Sequence, residues 1–569
     1  MSLFGSLKMA GNTLQAMQIG LQVVGSNIAN ANTPGYVREQ AVFTPAPVQK
    51  IGTLTLGLGV RVAGIFQNLD QFVEGRLRDA GGERASAEVQ EGIYRELQNI
   101  LGELTDSDIS TNLSNFFNAI DDISDTPEDE AIRNLAVQIG STLTTAIQAR
   151  SQRATSLYQD FSDRVENLAN EMNTLTEQVR RLNLQIVNIE GSGTSGEAGA
   201  LRSQRSEILK RLSEIAGVTI SDGAASIVNV SLGGQSLVFD GTARKVEAVQ
   251  FSEDGLLKSD IRFADDQSRL DVAAGELHGI YEARDTIVGG FLEQLDEFAG
   301  ALIFEFNKVF SQGQGITGFD QLTSAESVLD VDAALDEAGL NFTPTSGSFT
   351  VLVRNTSSDP EVLPTTTPHN VIVSLDGIDE DLTLSGLAEA LDAIDGIAAS
   401  ISSSNRLEIS AESSDIDFSF QGDTSGLLAA LGINTFFTGS TARDIAINQV
   451  VAEDETKFAA ATDGIGVGGE NALNLIALND NSLSSSTIST FNNMYGRLIN
   501  DTTQGSIVTT AIADGLRVFE GTLTANALGI SGVSLDEEAI DMISLQRTYQ
   551  ASARFISTVS ELLDQLVQL

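Results

Sequence analysis

Apolar residues recur at alternating steps of four and three from the start of the chain: Leu3, Leu7, Ala10, Leu14, Met17, Leu21, Val24, Ile28 and Ala31. This spacing aligns them along one side of an α-helix and describes a coiled-coil seam of roughly four heptads. The far end repeats the pattern. Met542, Leu545, Tyr549, Ser552, Ile556, Val559, Leu563 and Leu566 fit the same ruler, with only Ser552 polar. The chain is thus predicted to begin and end in matching amphipathic helices. Ordering such helices costs about 1–2 kcal/mol per residue in backbone entropy, so each is expected to be ordered only when a partner covers its stripe. A subunit of a polymer or ring meets that expectation, and so does a pairing of the two ends within one chain.

Between the ends, Ile132, Leu135, Ile139, Leu143 and Ile147 predict a helix, with the acidic run from Thr126 and Pro127 to Glu130 as its N-terminal cap. A longer helix is predicted from Phe161 through Val165, Leu168, Met172, Leu175, Val179, Leu182 and Ile186 to Ile189. The glycine-rich stretch 191–199 interrupts it, and Leu201, Ile208, Leu212 and Ile215 resume the pattern, which reads as a helical hairpin. From about 217 to 275 the period drops toward two, as in SIVNVSLGGQSLVF, predicting a small β element. Phe291, Leu295, Phe298, Leu302, Phe306 and Val309 restore a helix. Beyond it, Gly, Ser, Thr and Asp punctuate the strand candidates SFTVLVR, NVIVSL, RLEISA and IDFSF, with LSGLAEALDAI as a helix among them.

The predicted fold class is mainly α with β insertions, an α+β multidomain chain with paired terminal coiled-coil helices. Three parts are expected: a terminal helical inner domain of 1–35 with 531–569, an elongated helical rod domain of 36–312 with 471–530, and an inserted, mainly β outer domain of 313–470. The β element at about 217–275 belongs to the rod.

Composition narrows the partners. The chain has 569 residues, and 33 Lys and Arg against 78 Asp and Glu give a formal charge of −45. Such a surface repels phosphate backbones and anionic headgroups, so neither nucleic acid nor a membrane surface is expected. The absence of cysteine removes disulfides, thiolate metal sites and thiol nucleophiles. No apolar run of about 18 residues occurs, and the N-terminus lacks the pattern of a cleaved signal peptide, so neither insertion in a membrane nor signal cleavage is expected.

Candidate chemistry is thin. Gly464, Gly466 and Gly469 satisfy G-x-G-x-x-G, but KFAAATD upstream is no strand. DGIDEDLTL at 376–384 clusters carboxylates without the order of a calcium loop, and His278 and His369 lie too far apart for a zinc helix motif. Asp536, Glu537 and Glu538 suit the positive end of a helix dipole. Arg547 and Arg554, one heptad apart, are candidates for pairing with neighbouring subunits.

The stretch NIANANTPGY closes the first helix. Asn27, Asn30 and Asn32 carry short polar side chains able to bond local backbone, Thr33 and Pro34 bias the chain out of the helix, and Gly35 can adopt a positive φ. Through Tyr36 the segment reads as a hinge, although a plain loop would use the same residues. SNIANANTPGY at 26–36 resembles the N-terminal signature of the axial proteins of the bacterial flagellum, the family of rod, hook and hook–filament junction proteins. At the C-terminus, GVSLDEEA followed by LQRTYQASAR is similar to the junction branch of that family, as are GELHGIYEARD at 275–285, FFTGSTARDIAIN and GGENALNLIAL. Val37 departs from the polar residue usual after the tyrosine.

The resemblance implies a structural, non-enzymatic subunit without cofactor or metal, forming a ring at the hook–filament junction and needed for filament attachment. It implies export through the flagellar type III apparatus without signal cleavage. Implied partners are further copies of the chain, the flagellar hook protein, the second junction protein and a dedicated export chaperone. Leu3, Leu7, Leu14, Met17, Leu21, Val24 and Ile28 would form the N-terminal assembly interface. Met542, Leu545, Tyr549, Ile556, Val559, Leu563 and Leu566 would form the C-terminal one and the chaperone site. Another axial protein of hook type, or an appendage-borne adhesin or enzyme active in the inserted domain, remain alternatives.

Overall fold

A computed structural model describes the chain except for residues 1–2, 52–53, 103–107, 192–195, 254–255, 357–364, 379, 481–489 and 568–569. Helix α1 (Leu3–Asn30) leads through a turn into a strand, Glu39–Pro45, that pairs antiparallel with Val60–Gln67, the register slipping between Val42 and Phe43. Helix α2 (Gln71–Leu101) starts where the Asp70 carboxylate accepts from the Phe72 and Val73 amides at 2.9 and 3.3 Å. Asp108 caps α3 (Ile109–Asp125) in the same way, through Thr111 N.

Helix α4 (Glu130–Glu190) runs for 61 residues. It joins what the apolar pattern divides into two helices, because Ser151, Ala154 and Tyr158 carry the buried face across the gap without a glycine or proline to break it. Its cap is Asp129, which accepts from Ala131 N at 2.9 Å. Thr126 instead closes α3, bonding the Asp122 carbonyl. The buried face near the start of α4 is also rotated from the expected stripe: Leu135 is exposed, while Arg133, Ala136 and Gly140 are buried. A Cβ on Gly140 would lie 2.9 Å from the Phe436 ring. Arg133 is accommodated there because the carbonyls of Pro127 and Phe458 accept hydrogen bonds from its guanidinium.

Helix α5 (Gly199–Ala216) returns antiparallel along α4, with Arg202 paired to Glu190 and Arg211 to Glu171. It stops at Gly217, φ 58°, whose amide bonds Ser213 O. The predicted β element follows as four antiparallel strands in sequence order, Thr219–Asp222, Val228–Leu232, Gln235–Phe239 and Thr242–Ala243, then a hairpin of Val246–Glu253 with Leu256–Phe263. Two asparagines of α4 hold this element by imitating a strand: Asn183 bonds both N and O of Val228, and Asn173 does the same to Val246. Helix α6 (Glu276–Glu282) passes through one π turn, Ala283–Val288, into α7 (Gly289–Phe310).

After α7 come two three-stranded antiparallel sheets. One orders Thr365–Val373, Gly347–Asn355 and Ile416–Gln421, and the other Gln321–Thr323, Leu407–Ala411 and Ile397–Ile401. Helix α8 (Leu384–Asp392), where LSGLAEALDAI predicts it, packs on the second sheet, and the short α9 (Leu427–Leu431) and α10 (Gln449–Glu453) follow. One core unites Phe349, Leu387, Leu407, Phe418, Phe420 and Leu431. The chain closes with α11 (Glu470–Asp480), α12 (Phe491–Ser531) and α13 (Leu535–Val567).

The chain divides into two compact units. The first gathers 1–93, 159–286 and 506–569, and the second 94–158 and 287–505. The second unit combines the sheet core with the flanking helical segments through a phenylalanine cluster, in which Phe306 lies 5.3 Å from Phe116 and 5.1 Å from Phe437, ring centre to ring centre.

Candidate assembly site at the paired termini

The site begins where α1 ends. Asn30 Nδ2 donates to Ser26 O at 2.9 Å, Thr33 N to Asn30 O at 2.9 Å, and Tyr36 N to Thr33 O at 3.2 Å, so the helix is unwound by its own polar residues. Gly35 turns the chain at φ 73°, and a Cβ there would sit 2.9 Å from a Glu207 carboxylate oxygen. Pro34 and the exposed Asn32 lie in the same turn.

Asn27 does more than bond local backbone. It is 1% exposed, and its amide is used in full. Nδ2 donates to Glu39 O at 2.9 Å and to Glu538 Oε2 at 3.1 Å, while Oδ1 accepts from Tyr36 Oη at 2.9 Å and Glu39 N at 3.0 Å. One side chain therefore ties the end of α1 to the hinge, the first strand and the first turn of α13. Glu538, also 1% exposed, accepts from Arg38 Nε at 2.7 Å, and Arg38 extends to Glu537 at 3.0 Å and Asp541 at 3.8 Å. A buried carboxylate is tolerated because its guanidinium and amide partners are in place. Burial raises the Tyr36 hydroxyl, and burial followed by the Glu197 charge raises the Glu39 carboxyl.

Seven residues before Asn27, Gly20 meets α13 seven residues beyond Glu538: a Cβ on Gly20 would lie 3.2 Å from Leu545 Cδ1 and 3.0 Å from Phe43 Cζ. The two helices are thus antiparallel, each covering the stripe of the other. Met17 and Val24 are buried, and Leu3, Leu7, Leu14, Leu21 and Ile28 are half-buried. On α13, Val559 is buried and Met542, Leu545, Tyr549, Ile556 and Leu563 are half-buried, while the side chain of Leu566 lies outside the described residues. A second set of apolar residues, Leu535, Ile540, Ile543, Phe555 and Leu562, stands exposed on α13, as do Arg547 and Arg554.

The sequence reading missed Arg38, Glu39 and the role of Glu538. The acids at the start of α13 were legible as partners for a helix dipole, but nothing local to them signals an arginine 500 residues away. The other candidates are committed within the chain. Gly464 N and Gly466 N bond Gln314 Oε1 and Gly315 O, and Asp381 holds the amides of Asp376 and Gly377. His278 Nδ1 lies 3.1 Å from Ser86 Oγ, and His369 sits in an edge strand. Among the described residues, no cluster of three or more His, Cys, Asp or Glu could hold a metal, and no helix is long and apolar enough to cross a membrane.

Comparison with known families places matches on these same elements. Residues 7–36 match the flagella basal body rod protein model, and 524–569 match the C-terminal model of the flagellar basal body rod FlgEFG proteins. Residues 94–322 match the helical domain of the flagellar hook-associated protein FlgK. Flagellar hook-associated protein 1 of Escherichia coli strain K12 is 24% identical, with 98% of each chain aligned. Over nearly its whole length the chain is thus similar to FlgK. The FlgK relative from Bacillus subtilis strain 168 is 24% identical over 55% of this chain and 68% of its own. The solved FlgK hook junction protein of Burkholderia pseudomallei superposes with a TM-score of 0.50 at 15% identity, covering 80% of this chain and all of that one, which shows a shared fold. The FlgK assignment agrees with the mainly α architecture with β insertions, and with the placement of the rod-protein signatures on α1, the hinge and α13.

Proposed function

We propose that this chain is a structural subunit of the bacterial flagellum that forms the junction between hook and filament. The observation that carries the reading is the antiparallel α1–α13 pair, clamped at Asn27 and Glu538 and still exposing Ile540, Ile543, Phe555 and Leu562. Large apolar residues left exposed along one helix suit contact with other subunits. The match to a FlgK helical domain at 94–322 favours the junction over a hook-type axial protein. In this reading the chain divides into an inner terminal domain, a rod domain and the outer domain 313–470. Copies form a ring through the apolar residues that the α1–α13 pair leaves exposed, with hook protein below and the second junction protein above. Before export an intracellular chaperone covers the α13 stripe, and the chain leaves through the flagellar type III apparatus without signal cleavage.

Electron microscopy of cells lacking the chain, with flagellin assayed in the medium, tests the proposal. Bare hooks with flagellin lost to the medium are the expected outcome. Normal filaments, or cells without hooks, would overturn the junction role.

A further inference from the structure

Between the start of α2 and the flank of α5 lies a cavity of about 310 Å³ lined by three arginines, Arg78, Arg202 and Arg205. In a chain where acids outnumber bases 78 to 33, three guanidinium groups at one cavity call for a reason. Arg202 has one: Nε and Nη2 bond Glu190 at 2.8 and 2.9 Å, and Nη1 bonds Glu197 at 3.0 Å.

The other two are not matched in this way. Arg205 is 7% exposed, and among the described residues its hydrogen bonds leave from Nη1 to neutral acceptors, Asn183 Oδ1 at 2.7 Å and Ser226 O at 2.8 Å. Among the described residues Arg78 has one ion pair, to Glu74 at 4.0 Å, too long for a hydrogen bond. Asp222 lines the same cavity, yet no ion pair joins it to any of the three arginines among the described residues. Burial lowers the affinity of Arg78 and Arg205 for their protons, bringing Arg205 to about 10, and it raises the carboxyl of Glu74 against the pull of Arg78. Arg205, a guanidinium buried without a bonded anion, is a costly arrangement that an incoming anion would relieve, and the half-buried Arg78 stands in the same lining.

We infer that this cavity binds a small tetrahedral oxyanion of the phosphate class, held between the guanidinium groups of Arg78 and Arg205. Planar forks of N–H donors suit such an anion, which would compete there with the carboxylates of Glu74 and Asp222 in the same lining. The Ser206 hydroxyl in the cavity wall supplies a further donor. Bound anion would join α2 to α5 within the unit that also carries the paired termini.

The test is thermal unfolding of the full chain titrated with inorganic phosphate at constant ionic strength, with acetate and chloride as controls. Site binding raises the midpoint and follows a saturating curve, whereas the general salting effect of phosphate grows without saturation. The expected result is a saturable, phosphate-specific rise that Arg78→Gln abolishes and Arg497→Gln, at an exposed arginine of the other unit, leaves intact. An unsaturated rise, a rise matched by acetate or chloride, or one unchanged in Arg78→Gln would overturn the inference. Should Arg78→Gln fail to fold, Asp222→Asn removes the competing carboxylate and is expected to tighten phosphate binding by about threefold. Unchanged or weaker binding in that variant would also overturn it.

Discussion

Phe418 and Ile540 are both large apolar residues of the same chain, and they meet opposite fates. Phe418 is fully buried in the core between two antiparallel sheets, whereas Ile540 on α13 is 67% exposed although α1 lies along the same helix. The sheet core has two sheets and a helix to close it, so every inward side chain finds neighbours from within the chain. The terminal pair is two helices, with the strands Glu39–Pro45 and Val60–Gln67 packed on α1. Each can cover one stripe of the other and no more, which leaves the remaining apolar residues of α13 to whatever lies outside. What distinguishes the two regions is the number of faces available to close a core, since both are rich in apolar residues.

This contrast can be broken in four ways. Phe418→Ala empties the closed core and is expected to cost about 3–5 kcal/mol, read as a lower denaturation midpoint with the Asn27 clamp intact. A loss below 1 kcal/mol would show that the core is looser than the packing indicates. Asn27→Ala leaves Glu39, Tyr36 and Glu538 without their amide partner and is expected to cost about 2–3 kcal/mol. It should speed protease cutting within 1–30 and 540–569 of the dilute monomer, and unchanged cutting would mean that the clamp holds nothing.

The third concerns pH. Burial pushes the Glu190 carboxyl up, but hydrogen bonds from Arg202, Ser226 and the Ala198 amide outweigh it and bring it down to about 2. Its stabilising effect is therefore complete above the ordinary glutamate pKa of about 4.3 and is lost as pH falls toward 2. Glu190→Gln should flatten the acid limb of the unfolding curve over that window, and an unchanged limb would remove Glu190 as its source. The smallest effect is expected from Ile540→Ser, within about 0.5 kcal/mol for the monomer, with impaired filament attachment in cells. Normal attachment would show that this face of α13 is idle.

Much of this arrangement was legible beforehand. The stripes of α1 and α13 fell on the half-buried and buried positions because a seven-residue repeat constrains a helix face directly. The strands around Phe349, Leu407 and Phe418 were marked by the Gly, Ser, Thr and Asp residues that punctuate them. Residues 39–67 were not read as strands, since Glu39–Pro45 pairs across a slipped register and its burial does not alternate cleanly. The stripe through Leu135 misled because small residues at 136 and 140 allow a phenylalanine to approach a face that hydrophobicity alone would not choose. The clamp was least visible. An asparagine in a helix-ending motif and an acid at a helix start each have a sufficient local explanation, and only the fold brings them together.

The Asn27–Glu538 bond joins positions 511 residues apart. A chain that stops short of residue 538, or has not yet emerged that far, offers the amide of Asn27 no carboxylate and α1 no helix to lie against. The clamp thus ties the first helix to the last, and a fragment without α13 is left with the stripe of α1 uncovered.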